Sequence, residues 1–120
     1  MTQQTQKIPC SVYIVTLNCG QWLHETLTSV QDFAEVIILD SGSSDNTYEI
    51  AQQFDNVKIS HQDWLGYAQQ KHQALQFCQY DWVLNLDGDE TLSPELKQEI
   101  IQTISANQID GLIKIGRAHV

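Results

Sequence analysis

The densest group of residues able to do chemistry is Asp87-Gly88-Asp89-Glu90, which follows the run Trp82-Val83-Leu84-Asn85-Leu86. Two carboxylates flanking a glycine after a buried strand can reach one hard divalent cation, and the glycine lets the backbone turn and a ligand approach closely. Mg²⁺ or Mn²⁺ held by one or two carboxylates plus substrate phosphates is the chemistry such a pair suits. The plainer reading is a solvated acidic turn. A second cluster, Asp40-Ser41-Gly42-Ser43-Ser44-Asp45, follows Val36-Ile37-Ile38-Leu39 and favours the metal reading of the first. Taken plainly, it is a strand-to-helix turn whose Ser and Asp side chains satisfy backbone amides. Taken as a site, it is a nucleoside pocket in which Asp40 accepts from a base or ribose. No Walker lysine follows and no G-x-G-x-x-G is present, so neither a phosphate loop nor a dinucleotide motif is supported.

Basic residues are scarce: Lys+Arg number 6 against 15 Asp+Glu, a formal charge of -9. That balance excludes broad nucleic-acid binding by an electrostatic footprint. A lone lysine is ordinarily a solvated surface charge. An anionic ligand would find few partners here, however, and Lys71 is the best placed of them. His24, His61, His72 and His119 show no metal-ligand spacing and read as structural or exposed. No Ser-His-Asp or Cys-His arrangement is evident. Trp22, Trp64 and Trp82 read as core or pocket-wall residues.

The elements that must position these groups alternate. Val12–Val15 reads as a buried strand closed by Asn18 and Gly20, and residues 21–31 carry Trp22, Leu23, Leu27 and Val30 at helical spacing. Val36–Leu39 is a second strand, after which Ser44 or Asp45 can cap a helix running to about Phe54. Val57–Ser60 is a short third strand. Residues 65–79 form a helix with Leu65, Ala68, His72, Leu75 and Gln76 roughly along one face. Trp82–Leu86 is a fourth strand. Ser93-Pro94-Glu95 places a capping serine, a first-position proline and a first-turn acid at the start of a helix that ends near Ser105, and Gly111–Ile113 begins a fifth strand. Strand and helix in alternation predict a Rossmann-like α/β fold, a mostly parallel sheet with flanking helices. Ligands of such sheets sit beyond the C-terminal strand ends. The polar clusters Thr16–Asn18, Asp40–Asp45 and Asp87–Glu90 fall at those ends.

The 120 residues suit one domain, 42% hydrophobic and 18% charged, with ordinary globular composition. Apolar runs of four to five residues predict no membrane-spanning helix. Met1 to Lys7 is polar and Gln-rich, which predicts no signal peptide. Three widely spaced cysteines, Cys10, Cys19 and Cys78, suggest a reducing cytoplasmic setting without disulfides.

Four segments together resemble a known family: Ser11 to Asn18, Leu39 to Thr47, Asp63 to Leu75 (D-W-x-G-x-x-x-Q-K-x-x-A-L) and Asp81 to Glu90. In that order and spacing they are similar to the N-terminal half of a family 2 glycosyltransferase with the GT-A fold, and most similar to bacterial enzymes that extend the lipopolysaccharide inner core. The resemblance implies the nucleotide-binding half of that fold, a UDP-sugar donor and an inverting hexosyl transfer. It implies a lipid-linked or lipopolysaccharide-core acceptor, no nucleic acid, and work at the inner face of the cytoplasmic membrane with peripheral association. Asp87-Gly88-Asp89 matches the D-x-D motif, with Asp89 on Mg²⁺ or Mn²⁺ and Asp87 on ribose or metal. Thr16 and Asn18 match positions lining the uridine pocket, and Lys71 a basic position near the nucleotide. Many members carry a second acid where this chain has Ser41, which leaves the uracil role to Asp40. Many carry Asn where His72 stands.

The general base is expected in a C-terminal half. The domain reading is a polar leader over 1–9, an incomplete donor-binding region over 10–113, and a tail over 114–120. Ile115 to Val120 back-translates to a common sequencing-library adapter, so the tail is expected to be non-native read-through. Three rivals to this reading are an acidic interaction domain with no ligand, which leaves the polar clusters at strand ends unexplained, a non-catalytic nucleotide- or metal-binding module, and a nucleotidyltransferase. The last class usually shows a Gly-rich basic loop where this chain has Thr16 to Gly20.

Overall fold

A computed structural model describes residues 7–106 and 115–117. Strands β1 (Ile8–Thr16), β2 (Phe33–Asp40), β3 (Val57–His61), β4 (Trp82–Asn85) and β5 (Ile115–Arg117) form one sheet in the order β3-β2-β1-β4-β5. Helices α1 (Gly20–Thr28), α2 (Thr47–Ala51), α3 (Tyr67–Gln76) and α4 (Pro94–Ala106) connect them. The first four strands are parallel, and β5 runs antiparallel to β4. Register places Thr16 beside Asp40 and Asp40 beside His61, so β1 and β2 end flush and bring their two polar clusters side by side.

β-Branched and leucine side chains dominate β1, β2 and β4 because both sheet faces are covered there. One face forms the main core. In it Val12, Ile14, Val36, Ile38 and Leu84 meet Leu23 and Leu27 of α1, Ile50 of α2 and Ile100 of α4. Helix α3 packs on β1 and β2 from the other side, where Ser11 and Glu35 lie buried. Strand β3 is one edge of the sheet, and only Val57 and Ile59 are half-buried in it.

Several boundaries and faces differ from expectation. Helix α1 stops at Thr28 because Val30 and Gln31 donate to the carbonyls of Leu27 and Thr28 in tight turns. Helix α2 ends at Ala51 for the same reason, with Gln53 and Phe54 donating to Ile50 and Ala51. Its N-cap is Asn46. The preceding Asp45 nonetheless accepts from the Thr47 amide at 3.0 Å.

Helix α3 does not present the predicted face. It buries Gln70 and Ala74, and leaves Ala68, His72 and Gln76 exposed. With so few apolar side chains, its orientation is set by where the Gln70 amide finds partners. The start of α4 is as expected: Ser93 Oγ accepts from the Leu96 amide at 3.1 Å. The predicted strand at Gly111–Ile113 lies outside the described residues. The observed β5 falls within the segment expected as a tail, joined to β4 at Trp82↔Arg117 and Leu84↔Ile115. No helix among the described residues is long and apolar enough to cross a membrane.

Candidate functional site

The C-terminal end of β1 is tied to the turn after β2. Asp40 is wholly buried, and its carboxylate accepts four hydrogen bonds. Oδ1 takes Thr16 Oγ1 and Ser43 Oγ, both at 2.6 Å, and Oδ2 takes the amides of Gly42 at 2.9 Å and Ser43 at 2.7 Å. Burial pushes its pKa up, but these bonds outweigh burial and hold the carboxyl below its usual value. A carboxylate offers about four acceptor positions, and here all are used. Asp40, expected to accept from a base or ribose, instead closes the turn.

Asn18 works from the other side. It adopts a left-handed φ of 53°, which asparagine tolerates. Its Oδ1 accepts from the Ser44 amide at 2.8 Å and the Asp45 amide at 3.3 Å, and its own amide donates to Ser43 Oγ at 2.7 Å. Asp45 Oδ2 accepts from the Gly20 amide at 2.9 Å, and the Thr47 hydroxyl accepts from the Cys19 amide at 3.1 Å. The two loops thus form one hydrogen-bonded body.

The acidic turn after β4 is held differently. The Asp87 amide donates to Glu90 Oε1 at 2.9 Å, and the Glu90 amide donates back to the Asp87 carbonyl at 3.0 Å. Gly88 is buried, and its carbonyl accepts from Thr26 Oγ1 of α1 at 3.0 Å. A β-carbon on Gly88 would lie 2.6 Å from Cys19 Sγ and 3.1 Å from Cys19 Cβ. The glycine is there for close packing against α1. Its backbone φ lies outside the left-handed range, unlike those of Gly42 and Gly66. Asp87 and Asp89 stay exposed beside it.

These acids line a cleft of about 810 Å³ together with Val15, Thr16, Leu17 and Cys19 from β1 and the following loop. Trp22 forms another part of the wall, and Trp64, Tyr67 and Lys71 complete it. Of the predicted residues, Thr16, Lys71, Asp87 and Asp89 meet in this cleft. Asn18, Asp40 and Ser41 are not on its wall and brace the loops behind it. Burial pushes the half-buried Cys19 thiol up, a backbone hydrogen bond at Leu17 acts against it, and the charges of Asp89, Asp45 and Asp40 push it up again. The tryptophans divide: Trp82 is core, whereas Trp22 and Trp64 stand 44% and 49% exposed in the cleft wall. A second hollow, about 710 Å³, opens at the N-terminal strand ends between Lys7, Phe54 and Asn56, and none of the predicted site residues lines it.

Among the described residues, no three or more His, Cys, Asp or Glu side chains converge as a self-sufficient metal site. The donor set is two exposed carboxylates from one turn. That fits Mg²⁺ or Mn²⁺, which keep several waters and take further oxygens from a phosphate-bearing ligand.

Sequence reasoning missed Gln70, wholly buried behind this wall, because glutamine on a helix reads as solvent-facing. It also missed Thr26, whose hydroxyl serves as a brace.

The chain has relatives that bear on this site. It is 33% identical over 105 residues to the lipopolysaccharide core biosynthesis glycosyltransferase LpsC of Rhizobium meliloti (strain 1021), covering 84% of this chain and 39% of LpsC. It is 43% identical over 97 residues to an uncharacterized glycosyltransferase of Rickettsia bellii, covering 80% of this chain and 32% of that protein. The crystal structure of S. aureus TarS 1-349 in complex with UDP-GlcNAc superposes with a TM-score of 0.71 at 26% identity, over 81% of this chain and 31% of that 1-349 chain. The chain therefore spans about a third of the length of the relatives it matches. The sequence profile of glycosyl transferase family 2 matches residues 11–117, and the chain belongs to that family.

Proposed function

We propose that this chain supplies the donor-binding part of a metal-dependent, inverting hexosyltransferase that uses a UDP-sugar and glycosylates lipopolysaccharide or a related surface glycan. The observation that carries this reading is the meeting of Asp87, Asp89 and Lys71 in one cleft beyond the C-terminal ends of parallel strands. The relative named for lipopolysaccharide core biosynthesis supports the acceptor class, and the neighbour crystallised with UDP-GlcNAc supports the donor class.

In this reading Asp89, with Asp87 beside it, holds Mg²⁺ or Mn²⁺. The cation offsets the negative charge that develops on a diphosphate leaving group without any proton transfer. Lys71 faces the same anion from the α3 wall. Thr16 and the loop braced by Asp40, Asn18 and Ser41 shape the nucleoside end, with Asp40 acting through the turn it closes. Inversion needs a base for the acceptor hydroxyl, and the reading assigns that base outside these 120 residues. The work is assigned to the cytoplasmic membrane face.

Calorimetric titration of UDP, with and without Mn²⁺, tests the donor site. Wild type and Asp89→Asn are compared after circular dichroism shows both folded. Mn²⁺-dependent binding that the variant loses is the expected result. Binding by both proteins alike, or by neither, overturns the assignment of the cation to Asp89.

A further inference from the structure

Gln70 is wholly buried in α3, yet the wholly buried position one turn later on that face is Ala74, so packing alone does not call for an amide. All the polar atoms of its side chain are engaged. Oε1 accepts from the Leu65 amide at 3.1 Å, and Nε2 donates to the Gln62 carbonyl at 3.0 Å and to Ser41 Oγ at 3.2 Å. Gln62 and Leu65 bracket Trp64. One side chain therefore fastens both ends of the loop that carries this indole, and joins it to the turn after β2. Burying an amide is costly unless it is fully bonded, and full bonding makes it a rigid anchor. Tyr67 meets Trp64 edge-on, with centroids 4.8 Å apart and planes at 89°. The indole nevertheless stays 49% exposed in the cleft. An apolar plane held rigid and left half-bare is suited to a flat aromatic ligand.

We propose that Gln70 is the positioning residue that holds Trp64 as the wall on which the donor's nucleobase stacks. The nucleobase part rests on the donor reading above. A base rather than a sugar is assigned because Trp64 is tied through Gln70 to Ser41, on the turn that closes over Thr16. Asp87 and Asp89, which would hold the cation for the diphosphate, lie on the β4 and α1 side of the cleft.

The test uses the full chain labelled with 5-fluorotryptophan. The Trp64 fluorine resonance is assigned by its loss in Trp64→Phe. Gln70→Met, of similar length and shape, is expected to shift or broaden the Trp64 resonance and leave that of Trp82 unmoved. Gln70→Asn is the second variant should methionine fail to fold. Gln70→Met and Trp64→Ala are each expected to weaken UMP and UDP binding roughly tenfold. The double variant should be no worse than either single one. An unmoved Trp64 resonance, or losses that multiply in the double variant, overturns the positioning role. Weakened binding of UDP-GlcNAc with UMP unaffected overturns the nucleobase assignment. A wild type that binds no uridine nucleotide defeats the donor reading and the stacking together, and the fluorine spectra still decide whether Gln70 holds Trp64.

Discussion

Gly88→Ala isolates what fixes the acidic turn. The added methyl would stand 2.6 Å from Cys19 Sγ, 3.1 Å from Cys19 Cβ and 3.5 Å from Thr16 Cγ2. Non-bonded carbons settle near 3.5–4.0 Å, so the first contact is untenable and the second is tight. Rotation about χ1 can carry the Cys19 Sγ away, but its Cβ is held by a backbone whose amide is bonded to Thr47 Oγ1 and whose carbonyl accepts from Trp22 and Leu23 at the start of α1. The turn must move outward instead, which strains the bond from Thr26 Oγ1 to the Gly88 carbonyl. Overpacking costs about 1–3 kcal/mol and a weakened hydrogen bond about 1 kcal/mol. A total of about 2–4 kcal/mol lowers the melting temperature of a domain this size by roughly 10–15 °C. The displaced carboxylates should also weaken Mn²⁺-dependent UDP binding about tenfold. Cys19→Ala deletes the shortest contact, so Cys19→Ala/Gly88→Ala should recover about 1–2 kcal/mol relative to the sum of the single variants. Urea unfolding followed by circular dichroism measures all four proteins. A Gly88→Ala protein as stable as wild type would refute the steric argument. Strictly additive losses would mean the glycine answers to backbone conformation, despite a φ outside the left-handed range.

Four further outcomes are expected. Ser93→Ala removes the acceptor for the Leu96 amide and should cost about 1 kcal/mol, measured by urea unfolding. Gly66→Ala meets no atom within 4 Å but forces a side chain onto a φ of +96°, so it should cost about 1 kcal/mol of backbone strain that no neighbouring substitution relieves. The Asp40 carboxyl is held below its ordinary value of 3.8, so its contribution is complete above that pH and is lost as pH falls through the lower folded value. Asp40→Asn should therefore be less stable at pH 7 and show a flatter acid limb in melting against pH. Burial pushes the Cys10 thiol up to about 12 and the Cys78 thiol up to about 11, with the charges of Cys78 and Glu35 respectively adding to it. Both should resist iodoacetamide at pH 8 in the folded protein and react once urea is added, as read by mass spectrometry.

The parallel sheet was legible because Val12–Val15, Val36–Leu39 and Trp82–Leu86 are apolar runs too continuous for a one-sided strand. The Ser93 cap was legible because its partners lie within three residues. What escaped was whatever depends on contacts between distant segments. The buried face of α3 follows from a glutamine that reaches a loop five residues back and a serine 29 residues back, and no helical periodicity encodes that choice. The ends of α1 and α2 were misjudged for a related reason. Val30 and Phe54 continue the apolar spacing, but they do so from tight turns that follow the helices.

The same limit governs the aspartates. Asp40, Asp45, Asp87 and Asp89 all stand beside small residues just beyond strands, and composition cannot rank them. The ranking comes from how many donors each loop aims back at its own carboxylate. The turn after β2 directs the Gly42 and Ser43 amides and two hydroxyls at Asp40, and the Gly20 and Thr47 amides at Asp45. Those charges are neutralised by the protein itself. The turn after β4 uses Glu90 to satisfy the Asp87 amide and α1 to satisfy the Gly88 carbonyl, so its backbone is settled without drawing on the side chains of Asp87 and Asp89. Both carboxylates remain turned to the cleft, where a cation and Lys71 are the charges that can answer them. By this reasoning Asp45→Asn should disturb the loops and leave cation dependence intact, whereas Asp89→Asn should do the reverse. Melting and Mn²⁺-dependent UDP titration of the two variants side by side separate the roles, and a shared phenotype would show that the two turns are not independent.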